Sequence, residues 1–125
     1  MAGNLKSTRF SLWANFKNSM RGFIEVSRHE NPMKAELAAF AVGTLILIFW
    51  DIGFVCRVVL LVSMLFVIFA ELANSAIERV VDLVTLEYHD LAKAAKDAAS
   101  ACVLFALLIA GIAWASVFYI VYFGG

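Results

Sequence analysis

Polar and apolar residues fall along this chain in blocks whose lengths are more telling than any single residue. Up to residue 30, Phe10, Trp13, Phe16, Met20, Phe23 and Ile24 recur at spacings of three and four between Lys6, Arg9, Lys17, Arg21 and Arg28. That spacing predicts a basic amphipathic helix over 1–30. Such a helix suits the headgroup plane of a bilayer, aromatics down and cations toward phosphates. A helix capping the bundle with a solvated basic face is the plainer reading, and the two are compatible. His29-Glu30-Asn31-Pro32 breaks the pattern, because proline disfavours helix just before it and suits the first turn of the next one. The uncharged run Leu37 to Trp50 covers only about 21 Å as a helix, short of the roughly 30 Å of bilayer hydrocarbon. A span must therefore reach back to Met33, giving 33–50, with Lys34 snorkelling and Glu36 facing protein or water.

Asp51-Ile52-Gly53 is a short turn, so the next helix is an antiparallel neighbour. Val58 to Ala70 covers about 20 Å, and a full span over 54–77 draws Glu71 and Asn74 into the interfacial layer. Residues 79–97 hold no Gly or Pro, so this helix is expected to run on before a turn around Glu87-Tyr88-His89-Asp90. Ala98 to Phe123 is uncharged and long enough to span with tilt. The pattern predicts an all-α membrane protein, a single domain over 1–125, with transmembrane helices at 33–50, 54–77 and 98–123 and an N-terminal amphipathic surface helix.

Composition agrees: hydrophobic residues make up 63% and charged residues 16% of the 125 positions, well beyond the share in soluble domains. Ten Lys and Arg balance ten Asp and Glu, which removes any bulk field for nucleic acid. All the cations except Arg57 lie before residue 37 or within 79–97. By the positive-inside rule the N-terminus and that connection are cytoplasmic and the C-terminus is outside. No apolar run before residue 37 has the form of a cleavable signal. Cys56 and Cys102 sit in apolar sequence at opposite span ends, without metal or redox spacing, and are expected as small core residues. With no internal GxxxG, helix association is expected to rest on Ala92, Ala95, Ala99, Ser100 and Ala101.

The chemistry gathers on Glu71-Leu-Ala-Asn-Ser-Ala-Ile-Glu78-Arg-Val-Val-Asp82. At about 100° per residue, Glu71, Asn74, Ser75, Glu78 and Asp82 share one helix face, while Leu72, Ala76, Ile77 and Val80 take much of the rest. Carboxylates at a membrane boundary are costly to keep and point to function. Glu30, Glu36, Glu71, Asn74, Glu78, Glu87, Lys96 and Asp97 fall on one cytoplasmic-facing level. Such a set suits Mg²⁺, which takes one or two carboxylates with phosphate oxygens and water, and leaves a carboxylate to accept a proton. Phosphoryl transfer needs little else. Taken singly, Glu87, Asp90 and Lys93 read as solvated charges. Tyr88 and His89 suit an adenine, and an interfacial Tyr serves equally as a membrane anchor. No P-loop or glycine-rich kinase loop is present, so phosphates must be held by metal and side chains. A proton-coupled transporter would place a charge mid-span, and each span is uncharged through its middle,.

Glu71-Leu-Ala-Asn-Ser-Ala-Ile-Glu-Arg-Val-Val-Asp82, with Glu87-Tyr-His-Asp90, Lys96-Asp97 and Ser100 after it, resembles the small bacterial integral-membrane diacylglycerol kinases, a family that includes undecaprenol kinases. The resemblance implies a homotrimer in the bacterial inner membrane that uses MgATP to phosphorylate a membrane-embedded alcohol, diacylglycerol first and undecaprenol as the alternative. It implies Glu71 as general base with Asn74 beside it, and Glu30 and Glu78 as metal ligands. Glu87, Tyr88, His89, Lys96 and Asp97 match nucleotide-binding positions, joined by Arg9 when a two-residue insertion is allowed. Glu36, Trp50, Arg57 and Ser100 fall in segments the family uses around the lipid. The sequence departs from the family between Glu30 and Glu36, where Pro32 intervenes.

Overall fold

The computed structural model describes residues 11–124. Arg9 and the first ten positions of the 1–30 helix lie outside them. Four helices follow in order: α1 (Leu12–His29), α2 (Asn31–Phe49), α3 (Phe54–Val84) and α4 (Asp90–Phe123). No strand occurs among the described residues, and α2, α3 and α4 are each long and apolar enough to cross a membrane.

Local chemistry sets the helix ends. The Ser11 hydroxyl accepts from the Ala14 amide at 3.3 Å and starts α1, a cap that leaves fewer orphan donors. Pro32 stands in the first turn of α2, where its missing N–H costs nothing. At the far end of α2 the Arg57 guanidinium donates from α3 to the Trp50 carbonyl at 3.0 Å, so a cation of the next helix closes this one. The His89 ring accepts from the Leu91 amide at 3.1 Å and caps α4. Within the apolar stretches the hydroxyls of Thr44 and Ser63 donate to the carbonyls of Phe40 and Leu60, which satisfies them without water.

The 31 residues of α3 and 34 of α4 extend to about 46 and 51 Å, well past a hydrocarbon layer of about 30 Å. α3 packs along both α2 and α4, and α1 rests on α2 and α3. The α3–α4 seam uses Val67 and Ala70 against Ala106, with Val103 and Ala110 beside them; the spacing of three and four and the small side chains let the axes approach closely. Nearer the α2–α3 turn, Leu47, Ile52, Leu60, Met64 and Val117 form a second cluster. There Trp50 of the turn stacks on Trp114 and Tyr122 of α4. Gly43 of α2 packs against Met64 so closely that a Cβ would displace its sulfur.

Two packing expectations change. Cys56 is half-buried beside the second cluster, but Cys102 is exposed, because helical spacing sets it to one flank of the α4 seam positions 99, 103, 106 and 110. Of the small residues expected to join helices, Ala99 is buried and Ala95 and Ser100 are exposed; the seam runs instead through positions 99, 103, 106 and 110.

Candidate active site

Between Glu71 and Val80, Glu71, Asn74 and Ser75 of α3 turn inward while Ala76, Ile77 and Val80 are exposed, the reverse of a soluble helix; Asp82, further along, is exposed. Glu71 is 4% exposed and Asn74 9%, Ser75 is fully buried, and Val80 is 60% exposed. This inversion fits a helix whose surroundings are lipid on one side and polar chemistry on the other. Glu30, Glu36 and Glu78 are the charged neighbours of Glu71, so four carboxylates from the α1–α2 corner, α2 and α3 converge at one level.

The turn of chain at Glu30 brings the first of them in. Its backbone is extended between α1 and α2, and its side chain is gripped by α3. The Ser75 hydroxyl donates to Oε2 and the Arg79 guanidinium to Oε1 at 3.1 Å. One turn before Glu78, Asn74 directs its amide nitrogen toward Glu78 Oε1 at 3.5 Å, while its carbonyl oxygen is buried without a partner. Glu36 lines an apolar cleft of about 230 Å³ with Phe40, Gly43, Met64 and Trp114, which runs from the carboxylates toward the middle of the bundle.

Beyond the carboxylates, the end of α3 and the start of α4 enclose a cavity of about 370 Å³ lined by Asp82, Glu87, Tyr88, His89, Lys96 and Asp97 among others. All five residues expected at the nucleotide, apart from Arg9, meet here. Lys96 reaches Asp82 at 2.5 Å and Lys93 reaches Asp97 at 2.5 Å. The Tyr88 hydroxyl donates to Asp90 at 2.9 Å. Because His89 Nδ1 accepts a backbone N–H, the ring proton belongs on Nε2, which is left free as a donor. Ser100, exposed, follows Lys96 by one turn of α4.

Trp50 and Arg57 are not brought to this level. Fourteen residues of continuous α3 separate Arg57 from Glu71, about 21 Å of rise. They form a separate aromatic end, where Trp50, Trp114, Phe118 and Tyr122 border a groove of about 510 Å³. Sequence reasoning passed over Arg79 as a site residue. Helical spacing carried the signal, since Arg79 follows Ser75 by four and so lies on the same side of α3.

For a divalent metal, no three His, Cys, Asp or Glu among the described residues stand close enough to hold an ion by themselves. Mg²⁺ needs only one or two carboxylates once phosphate oxygens and water complete its shell. Glu30 and Glu78, with the buried, unpartnered Asn74 oxygen on the residue beside Glu78, fit that requirement.

The prokaryotic diacylglycerol kinase family model matches residues 17–118. The diacylglycerol kinase of Escherichia coli K12 is 38% identical over 96 residues, covering 77% of this chain and 79% of its own. That of Haemophilus influenzae is 34% identical over 105 residues, covering 82% and 87%. The undecaprenol kinase of Bacillus subtilis is 40% identical over 96 residues, covering 71% and 72%. With the match running from within α1 to the last turns of α4, the chain belongs to the prokaryotic diacylglycerol kinase family and is a kinase.

Proposed function

We propose that this protein transfers the γ-phosphate of ATP to the hydroxyl of diacylglycerol, giving phosphatidic acid and ADP. The observation that carries the reading is the burial of Glu71 among three other carboxylates, at the depth where the length of the α3 apolar run meets the headgroups. A lipid hydroxyl entering there finds a carboxylate oxygen able to take its proton. As the hydroxyl oxygen bonds to the γ-phosphorus, the bond from that phosphorus to the β–γ bridging oxygen breaks. The electron pair leaves with ADP, and the proton passes to Glu71. Asn74 holds Glu78 and orients the stripe. Glu30 and Glu78 are the residues that would hold Mg²⁺, which when bound neutralises phosphate charge and aligns the donor. Lys96 adds a cation at the phosphate side, and Glu87, Tyr88, His89 and Asp97 line the nucleotide cavity. Glu36 guides the lipid along its cleft.

The enzyme works as a homotrimer with spans over 33–50, 54–77 and 98–123, in the inner membrane of a bacterium, the site and N-terminus cytoplasmic. α1 lies on the bilayer, its exposed Leu12, Trp13, Phe16 and Ile24 toward lipid and Lys17, Arg21 and Arg28 toward phosphates. The wide exposed apolar faces of α3 and α4 support both lipid contact and association of copies. A second reading takes undecaprenol as acceptor, favoured by the 40% identity to the Bacillus subtilis enzyme. Labelled γ-phosphate supplied to the pure protein with each lipid, with and without Mg²⁺, decides between them; label entering neither lipid sinks both. Glu71→Gln is expected to abolish transfer while the trimer survives, and near-normal turnover would remove Glu71 as the base.

A further inference from the structure

Glu30 is expected to ligate a metal, yet both of its oxygens are already engaged from α3. Ser75, fully buried, donates to Oε2, and Arg79 forms an ion pair with Oε1 at 3.1 Å. The two contacts differ in kind. The Ser75 hydroxyl is neutral, locked in the packed face of α3, and compatible with a cation on the other oxygen. The Arg79 guanidinium is a full positive charge, and its side chain is 46% exposed against 23% for Glu30. A guanidinium and a divalent cation on one carboxylate repel each other, so ligation by Glu30 requires Arg79 to give way. Its exposure leaves it room to do so.

We propose that Arg79 is a positioning residue that competes with the divalent cation for Glu30, holding the α1–α2 corner against α3 until the metal displaces it and so setting the metal affinity of the site. This rests on the reading of Glu30 as a ligand. Before displacement, Arg79 keeps the carboxylate paired and in place, so the ligand is preorganised; afterwards, Ser75 alone fixes its orientation.

Direct Mn²⁺ binding, followed by the electron paramagnetic resonance signal of the free ion without nucleotide, tests it. Arg79→Gln is expected to bind Mn²⁺ about two- to five-fold more tightly than the parent, the range set by a half-exposed ion pair, and Arg79→Lys to stay near the parent. Glu30→Gln is expected to weaken Mn²⁺ binding at least about ten-fold, with Arg79→Gln adding nothing in that background. If Glu30→Gln weakens binding but Arg79→Gln leaves the parent affinity unchanged or lowers it, the competition is overturned and the ligand reading stands. If Glu30→Gln leaves binding unchanged, the ligand reading falls and takes the proposal with it. A measurement on the parent protein is independent of how the variants fold. Phenylglyoxal modification of Arg79, located by peptide mass, is expected to accelerate more than about two-fold when Mn²⁺ is added, since an arginine freed from its carboxylate is more reactive. An unchanged or slower rate overturns the proposal.

Discussion

Replacing Ser75 by Ala isolates the buried half of the Glu30 grip. The hydroxyl is fully buried and is the donor to Glu30 Oε2, so its loss creates no cavity of consequence but leaves a carboxylate oxygen facing apolar packing. Hydrogen bonds to charged groups contribute about 1.5–3 kcal/mol. The Glu30 side chain keeps 23% of its exposure, so water recovers part of that, and a loss near the lower end, about 1.5 kcal/mol, is expected. Two comparisons sharpen the figure. Arg79→Gln removes the half-exposed ion pair on the same carboxylate and is expected to cost about 0–1 kcal/mol. Ser63→Ala removes another buried hydroxyl, one that donates to the Leu60 carbonyl of its own helix, and is expected to cost less than about 0.5 kcal/mol. Reversible unfolding of the four proteins in mixed micelles with a rising fraction of denaturing detergent gives all three differences on one scale. Should Ser75→Ala prove no more damaging than Ser63→Ala, or less damaging than Arg79→Gln, burial is not what gives the Ser75 contact its strength.

Gly43→Ala drives a methyl group toward Met64 across the α2–α3 contact; overpacking costs about 1–3 kcal/mol, the better helix former returns about 1, and the same unfolding assay should read a net loss of up to about 2. Gly43→Leu should be clearly worse, and a stabilised leucine variant would mean that α2 and α3 are not packed as described. Lys96→Met keeps the stem and removes the cation at the nucleotide cavity, and is expected to raise KM for ATP about ten-fold or more, by the strength of a charged hydrogen bond, with KM for the lipid changed little. Steady-state kinetics in micelles with each substrate varied in turn checks it, and an effect confined to the lipid would place Lys96 at the other substrate.

The helical layout was legible because each deciding signal is local. Pro32 after Glu30 ends one helix and begins another, Asp51-Ile52-Gly53 marks the only short turn between the first two apolar runs, and the spacing of Glu71, Asn74, Ser75 and Glu78 puts them on one face whatever that face meets. The direction in which the face turns is a tertiary matter, settled by what α3 packs against: Glu71, Asn74 and Ser75 are buried and Val80 and Leu83 are exposed. Partners on different helices were likewise beyond reading from periodicity, which is why Arg79, 49 residues from Glu30, looked like one more boundary cation and Lys96 of α4 was not seen to meet Asp82 of α3. The gathering of Trp50 and Arg57 with lipid-side residues followed the family likeness. The rise of α3 places them at the opposite end from Glu71, a separation that a count of residues between them already contained.

The grip on Glu30 also bears on how the protein is made. Ser75 follows Glu30 by 45 residues, and at about 5–20 residues per second the ribosome needs roughly 2–9 s to deliver it. For that interval the α1–α2 corner carries an unmatched carboxylate beside a freshly inserted apolar helix, and only the arrival of α3 answers it. The α1–α2 corner is therefore the last of the early contacts to close, since it waits on the synthesis of the helix that holds it.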